Sequence, residues 1–315
     1  MFDIYLSTTG GTPLEFTSNP HNYFHLRPKE VISDMENFGK RTRFLVVKAR
    51  EKSALSWQEG SPVCEILGTH SIKHVGIMDA YPPFEIVREK QSGTYMMVCL
   101  EGEGLIYVDG VWKKLHKGQA CLLPPFVMNS FKCCVGKRWK FAWVRYEESR
   151  NSKPVVSILS PVIRNFGSEG LECAIRGLFA ATTENMNAAL PGWCELINLY
   201  VRRFAEPVNP DDRLRRVWME VEKNPGYGWT LAELAGLAFL STEHLRRLCL
   251  SEIGRTPMRH LTFIRLQIAL RLLTTSDDKI ETIARDVGFA GIHGFSNSFK
   301  TCFGKRPSDF RIGAV

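Results

Sequence analysis

A repeat within the last third of the chain constrains its fold more than any other feature. Ile253-Gly254-Arg255-Thr256-Pro257 returns fifty positions later as Phe303-Gly304-Lys305-Arg306-Pro307. Leu245 and Cys249 map onto Phe295 and Phe299 at the same offset, and Leu234-Ala235 maps onto Ile283-Ala284 at an offset of 49. Each copy reads as a short helix, a tight turn and a second helix. The first helix carries a small residue, Ala235 or Ala284, where two helices must cross closely. The second carries inward apolar residues, Leu245 with Leu248 and Phe295 with Phe299. Its opposite face is polar: Thr242, Glu243, Arg246 and Arg247 in one copy, His293, Ser296, Asn297 and Lys300 in the other. A small-residue crossing beneath a helix with one apolar and one polar face is the composition of a helix-turn-helix, twice over.

Local signals frame the repeat. Asp211-Asp212 caps a helix predicted to reach Glu222, and Asn224-Pro225-Gly226 stops it. Thr230 and Ser241 are N-caps of the two helices of the first copy, with Glu243 favouring the helix dipole. Pro257 opens a long helix to about Thr274, with Leu261, Ile264, Ile268 and Leu272 on its inner face. Upstream, Glu206-Pro207-Val208-Asn209-Pro210 reads as a linker, because two prolines forbid a continuous helix.

The middle of the chain has a different texture. Between about Thr42 and Tyr146, short β-branched and aromatic runs alternate with turn signals, giving seven or eight strands and hence a sandwich or barrel. The runs are Arg43–Lys48, Ser71–Met78, Phe84–Arg88, Thr94–Leu100, Leu105–Val108, Val111–Leu115, Gln119–Leu123 and Trp139–Tyr146. Asp109-Gly110 is a hairpin signal, and Glu101-Gly102-Glu103-Gly104 reads as a turn. Two helical stripes follow. One holds Leu171, Ile175, Leu178 and Phe179; the other, after Pro191-Gly192, holds Trp193, Leu196, Ile197, Tyr200, Val201 and Phe204. The second stripe either packs on the barrel or pairs with a second copy of the chain.

Charge adds a weaker pointer. The net charge is +8, of which +4 falls in the residues from Asp211 onward, about twice the density of the rest. A basic tail suits a polyanionic partner. The nine cysteines are scattered without C-x-x-C spacing, which fits buried thiols in a reducing cytoplasm. No apolar run approaches a membrane span, and no secretory leader is expected. Metal, cofactor and catalysis are not expected. His70 and His74 on one strand would stand about 13 Å apart, His116 lies downstream without an H-x-H, and neither a phosphate loop nor a nucleophile elbow is present.

The stretch Ile283-Ala284-Arg285-Asp286-Val287-Gly288-Phe289, then Phe295-x-x-x-Phe299-Lys300-x-x-Phe303-Gly304-x-x-Pro307-x-x-Phe310-Arg311, resembles the signature of the AraC/XylS family of bacterial transcription regulators. The resemblance is strong over Asp211 to Ile312. The β-rich part resembles that family's cupin-like sensor barrel by layout rather than by sequence. It implies an α+β multidomain chain. The N-terminal cupin-like β-barrel with a helical extension would precede a C-terminal all-α double helix-turn-helix. The expected divisions are 1–165 for ligand sensing, 166–206 for helical packing or dimerisation, 207–212 for the linker and 213–315 for DNA binding.

By position in the family pattern, Glu243, Arg246 and Arg247 face bases from the first copy, and Ile292, His293, Ser296 and Asn297 from the second. Lys300, Lys305 and Arg306 are expected at phosphates. Asn297 stands where many relatives carry arginine, and Gly294 weakens its helix, so the second motif is expected to contribute less. The resemblance also places Arg88, Phe131, Phe141 and Trp143 at the ligand site of a sugar-binding member. Aromatic faces with an arginine suit a sugar. Phe131 and Phe141 lack the polar handles found there, so the ligand's identity does not carry over. The expected function is a cytoplasmic, nucleoid-associated regulator, an activator by family habit. Its expected partners are double-stranded promoter DNA, a small-molecule effector, RNA polymerase and a second copy of itself. A cupin-type enzyme with an accessory DNA-binding tail is the alternative, disfavoured by the missing metal ligands.

Overall fold

The computed structural model describes residues 35–52, 55–88, 93–127, 129–149, 154–206 and 211–311. Among these, ten strands come first: β1 (Met35–Asn37), β2 (Arg43–Lys48), β3 (Ile72–Ala80), β4 (Glu85–Arg88), β5 (Tyr95–Val108), β6 (Val111–His116), β7 (Gln119–Leu123), β8 (Asn129–Cys133), β9 (Trp139–Tyr146) and β10 (Ile163–Asn165). A short helix α1 (Ile66–Thr69) precedes β3. The remaining helices are α2 (Glu169–Thr183), α3 (Leu190–Ala205), α4 (Asp212–Lys223), α5 (Leu231–Leu237), α6 (Thr242–Glu252), α7 (Pro257–Thr275), α8 (Ile280–Asp286) and α9 (Ile292–Phe303), with a last 3-10 turn at Pro307–Phe310.

All strand pairings are antiparallel, and the sheet curls in the order β1-β4-β8-β5-β9-β3-β2, with β6 on β5 and β10 on β7. The long strand β5 makes the curl. Its first half pairs with β7 and β9, its second half with β8 and β6. The stretch Glu101–Gly104, expected as a turn, is therefore the bend of a continuous strand. The register slips between Cys99 and Glu101. A Cβ at Gly104 would strike the Trp139 indole. These glycines mark a bulge and a close approach, which in sequence look the same as a turn. The hairpin at Asp109-Gly110 is present, with φ of 53° and 80° at its two corner residues. Three strands escaped the sequence reading: β1, β8 and β10. Each is only three to five residues long, too short for its pattern to stand out.

Three cores result. Inside the barrel lie Phe84, Met97, Phe131, Trp139, Phe141 and Trp143. On its outer face, α2 and α3 cover Val47, Val75, Met96, Val98 and Val144 with Leu171, Ile175, Leu178, Ile197, Val201 and Phe204. The α3 stripe packs against its own barrel through Ile197, Val201 and Phe204, whereas Leu196, expected within it, is exposed, as is Leu199. The third core holds α4 to α9 around Trp218, Leu261, Ile264 and Phe299, and reaches the barrel through Val127.

Candidate nucleic-acid interface

The turns of the two copies close by the same local bonds, while side-chain caps are present in the first copy only. In the first, Thr230 accepts a hydrogen bond from the Glu233 amide at 3.2 Å, and Glu233 accepts one from the Thr230 amide at 2.8 Å. This reciprocal cap fixes the start of α5. The turn then closes by Phe239 N–H to Gly236 O and Leu240 N–H to Ala235 O, both at 3.0 Å. In the second copy the equivalent bonds are Gly288 N–H to Arg285 O and Phe289 N–H to Ala284 O, both at 2.9 Å. The residue at the corner is left-handed in both, φ 55° at Phe239 and 86° at Gly288. Glycine adopts that region freely and phenylalanine does not. Phe239 is nonetheless 81% exposed, its ring 5.4 Å from the Arg216 guanidinium carbon.

Ala235 and Ala284 are each 2% exposed, at the crossings where they were expected. Leu245 and Cys249 bury the inner face of α6; Phe295, Phe299 and Phe303 bury that of α9. The Ser241 hydroxyl caps α6 by accepting from the His244 amide at 3.2 Å. Between the motifs, α7 buries Leu261, Ile264 and Ile268, with Leu273 fully inside and Leu272 half-buried.

The outward faces carry the predicted side chains. Glu243, Arg246 and Arg247 on α6 are exposed, as are His293 and Asn297 on α9; Ile292, Ser296 and Lys300 are half-buried there. Lys305 is half-buried and Arg306 exposed in the turn that follows. Arg246 and Arg247 form no ion pair among the described residues, so both guanidinium forks remain available for bidentate contact.

The barrel grips this region from behind. Asp109, at the tip of the β5–β6 hairpin, accepts two hydrogen bonds from Arg255, at 2.7 and 2.8 Å. The Arg255 side chain is 2% exposed and stacks 3.7 Å above the Phe263 ring. Burial pushes the Asp109 carboxyl up, but Arg255, with Lys113 and Arg259, more than offsets this and holds it below its ordinary range. Lys113 Nζ donates to Gly254 O at 3.1 Å, and the Val162 amide to Ile253 O at 2.7 Å. On α7, the His260 ring is fully buried, with Nε2 at 2.8 Å from Ile158 O. Nothing local in the sequence signals this grip. Asp109 announced a hairpin and Arg255 a helix end, and only folding brings residues 146 apart into contact.

Beside the grip is a cavity of about 720 Å³, lined from the barrel side by Pro125, Phe126 and Ile158 and from α7 by Phe263, Gln267 and Arg271.

The proposed ligand residues lie inside the barrel or at its edge. Phe131, Phe141 and Trp143 are 3%, 1% and 1% exposed. Phe131 stacks on Tyr95 at 5.7 Å, Phe141 lies 4.3 Å from Trp139, and the Trp143 Nε1–H donates to His74 Nδ1 at 2.9 Å. Arg88 is buried and ion-paired with Glu36. The four share one interior, in which the three rings are packed as core.

A family profile described as a helix-turn-helix domain matches residues 234–312, a span that opens in α5 and takes in both motifs. The C-terminal region is an AraC-type helix-turn-helix domain. The RCS-specific HTH-type transcriptional activator RclR of Escherichia coli K12 is 25% identical over 235 residues, 73% of this chain and 75% of RclR. The HTH-type transcriptional activator RhaS of Escherichia fergusonii is 36% identical over 107 residues, covering 33% of this chain and 38% of RhaS. Among solved structures, ToxT of Vibrio cholerae matches 76% of this chain and 97% of its own at 15% identity and a TM-score of 0.37. Over its C-terminal region, and more weakly over its length, the chain is similar to AraC-type, DNA-binding transcription regulators. Among the described residues, no helix is long and apolar enough to cross a membrane.

Proposed function

We propose that this AraC-family regulator binds promoter DNA through α6 and α9 and activates transcription under the control of a small-molecule effector. One observation carries the reading: two helix-turn-helix copies joined by α7, with the same turn bonds, present the outward side chains Glu243-Arg246-Arg247 and His293-Ser296-Asn297. On this reading α6 supplies base contacts, and α9, with Asn297 and Ile292, fewer of them. Lys300, Lys305 and Arg306 meet phosphates and set register. The similar proteins RclR and RhaS are both activators, which supports the direction of control and implies RNA polymerase as a partner.

Control by an effector requires that the ligand bind one arrangement of the two halves better than another. The packed aromatic interior and the Glu36-bound Arg88 offer few polar handles for a sugar. The 720 Å³ cavity has the size of a ligand pocket, and its walls come from both halves, so a ligand there would be sensitive to their arrangement. Footprinting of the full chain on its own upstream DNA tests the DNA-binding reading. Protection of two successive major-groove segments is expected; protection of one segment, or none, overturns it.

A further inference from the structure

Cys64 and Cys194 meet within the core that joins the barrel to its helical cover. Their sulfurs are 3.7 Å apart although the residues are 130 positions apart in sequence. Cys64 is 2% exposed and Cys194 fully buried. Cys64 is held by two backbone bonds, its own amide to Lys48 O at 2.9 Å and the Leu67 amide to its carbonyl at 3.1 Å. Cys194 sits in the second turn of α3, on the side facing the barrel. Among the described residues no other two cysteine sulfurs are in such contact. The Cys99 and Cys133 thiols donate instead to backbone carbonyls, and Cys173 is exposed on α2.

We propose that Cys64 and Cys194 form a reversible disulfide when the protein meets a small two-electron oxidant such as hydrogen peroxide, stapling α3 to the barrel. A disulfide needs sulfurs about 2.05 Å apart, so this pair must close by less than 2 Å. The two thiols are not equivalent. The hydrogen bond from Cys194 and the amides of Leu67 and Ile66 lower the Cys64 thiol to about 6 against the effect of burial. Contact with Cys64 and burial raise the Cys194 thiol. With two backbone amides beside its sulfur, Cys64 is the better placed of the two to carry the thiolate, and on this proposal it is the attacking sulfur.

The chemistry balances in two displacements. The Cys64 thiolate attacks one peroxide oxygen, the O–O bond breaks, and the departing hydroxide takes a proton to leave as water. Cys64 is then a sulfenic acid. The Cys194 sulfur, losing its proton, attacks the Cys64 sulfur. The S–O bond breaks and its oxygen leaves as a second water. Two thiols are oxidised to one disulfide while one peroxide is reduced to two waters. A dithiol reductant reverses the change.

Peptide mapping of the full chain, before and after hydrogen peroxide, tests the proposal. The expected result is a cross-linked peptide pair containing Cys64 and Cys194, about 2 Da lighter than the two reduced peptides together and lost again with dithiothreitol. Oxidation should also raise the melting temperature of the wild-type chain by several degrees and leave that of Cys194→Ser unchanged. If both cysteines stay fully alkylatable in denaturant after a peroxide exposure that oxidises Cys173, or if the cross-link joins a different pair, the proposal is overturned. Should Cys194→Ser fail to fold, the wild-type peptide map decides alone.

Discussion

The grip of the barrel hairpin on Arg255 gives the sharpest test of how the barrel and the helical C-terminal region are coupled. Arg255→Ala removes a guanidinium that makes two charge-assisted bonds to Asp109 and is itself 2% exposed. Breaking a buried pair in this way typically costs 3–5 kcal/mol, chiefly because the surviving charge is left uncompensated. Two observations lower the figure here. The Asp109 side chain retains 18% exposure, and Lys113 and Arg259 remain as partial counter-charges. A loss of about 2–4 kcal/mol follows, with part of it from the lost stacking on Phe263. The assay is a double-mutant cycle by urea unfolding of the full chain, with Arg255→Ala, Asp109→Asn and the pair. The double variant should be less than additive, with a coupling of about 2 kcal/mol. The sign with pH follows from the depressed Asp109 carboxyl: the contribution is fully present above the ordinary carboxylate value and fades as pH falls below it. The coupling measured at pH 7 should therefore persist at pH 5. A coupling below about 0.5 kcal/mol at pH 7 would refute the reasoning, since it would mean the pair is solvated or the halves are not docked.

Four further outcomes are expected. Arg246→Ala should weaken binding to the specific site by about 1–3 kcal/mol and relax preference at one base pair; equal weakening on all sequences by gel shift would restrict Arg246 to phosphate. Ala284→Leu should overpack the α8 crossing and cost about 1–3 kcal/mol, read as a lower denaturation midpoint, and an unchanged midpoint would contradict the crossing. His74 and His260 are both lowered to about 3, mainly by burial, with Arg145 near one and Arg255 near the other. Because the unfolded chain binds protons near 6.5 and the folded chain does not, stability should fall on acidification from pH 7 to pH 5, by roughly 2 kcal/mol per histidine. Urea midpoints that do not move over that interval would show that the rings are accessible. Phe239→Gly should stabilise by about 0.5–1 kcal/mol, because relief of the left-handed corner exceeds the weak exposed contact with Arg216; a lowered melting temperature would count against strain at this turn.

Much of this protein was determined by sequence alone. The tandem motifs were legible because short-range rules govern them. Ala235 and Ala284 at crossings, Thr230 and Ser241 at caps, and apolar residues at helical spacing each act within a few residues and recur fifty positions apart. The strand pattern and the Asp109-Gly110 hairpin were legible for the same reason. Tertiary structure decided everything that depends on meetings across the chain. It turned the Glu101–Gly104 glycines into a bend within β5, because Trp139 needed the space. It filled the barrel with the rings of Phe131, Phe141 and Trp143, since an aromatic face reads alike whether it meets a ligand or another ring. It laid α3 on its own barrel, a choice the stripe itself left open. Arg255 with Asp109, and Cys64 with Cys194, lie more than a hundred residues apart. Proximity at that separation is set by packing of whole elements, and no local preference encodes it.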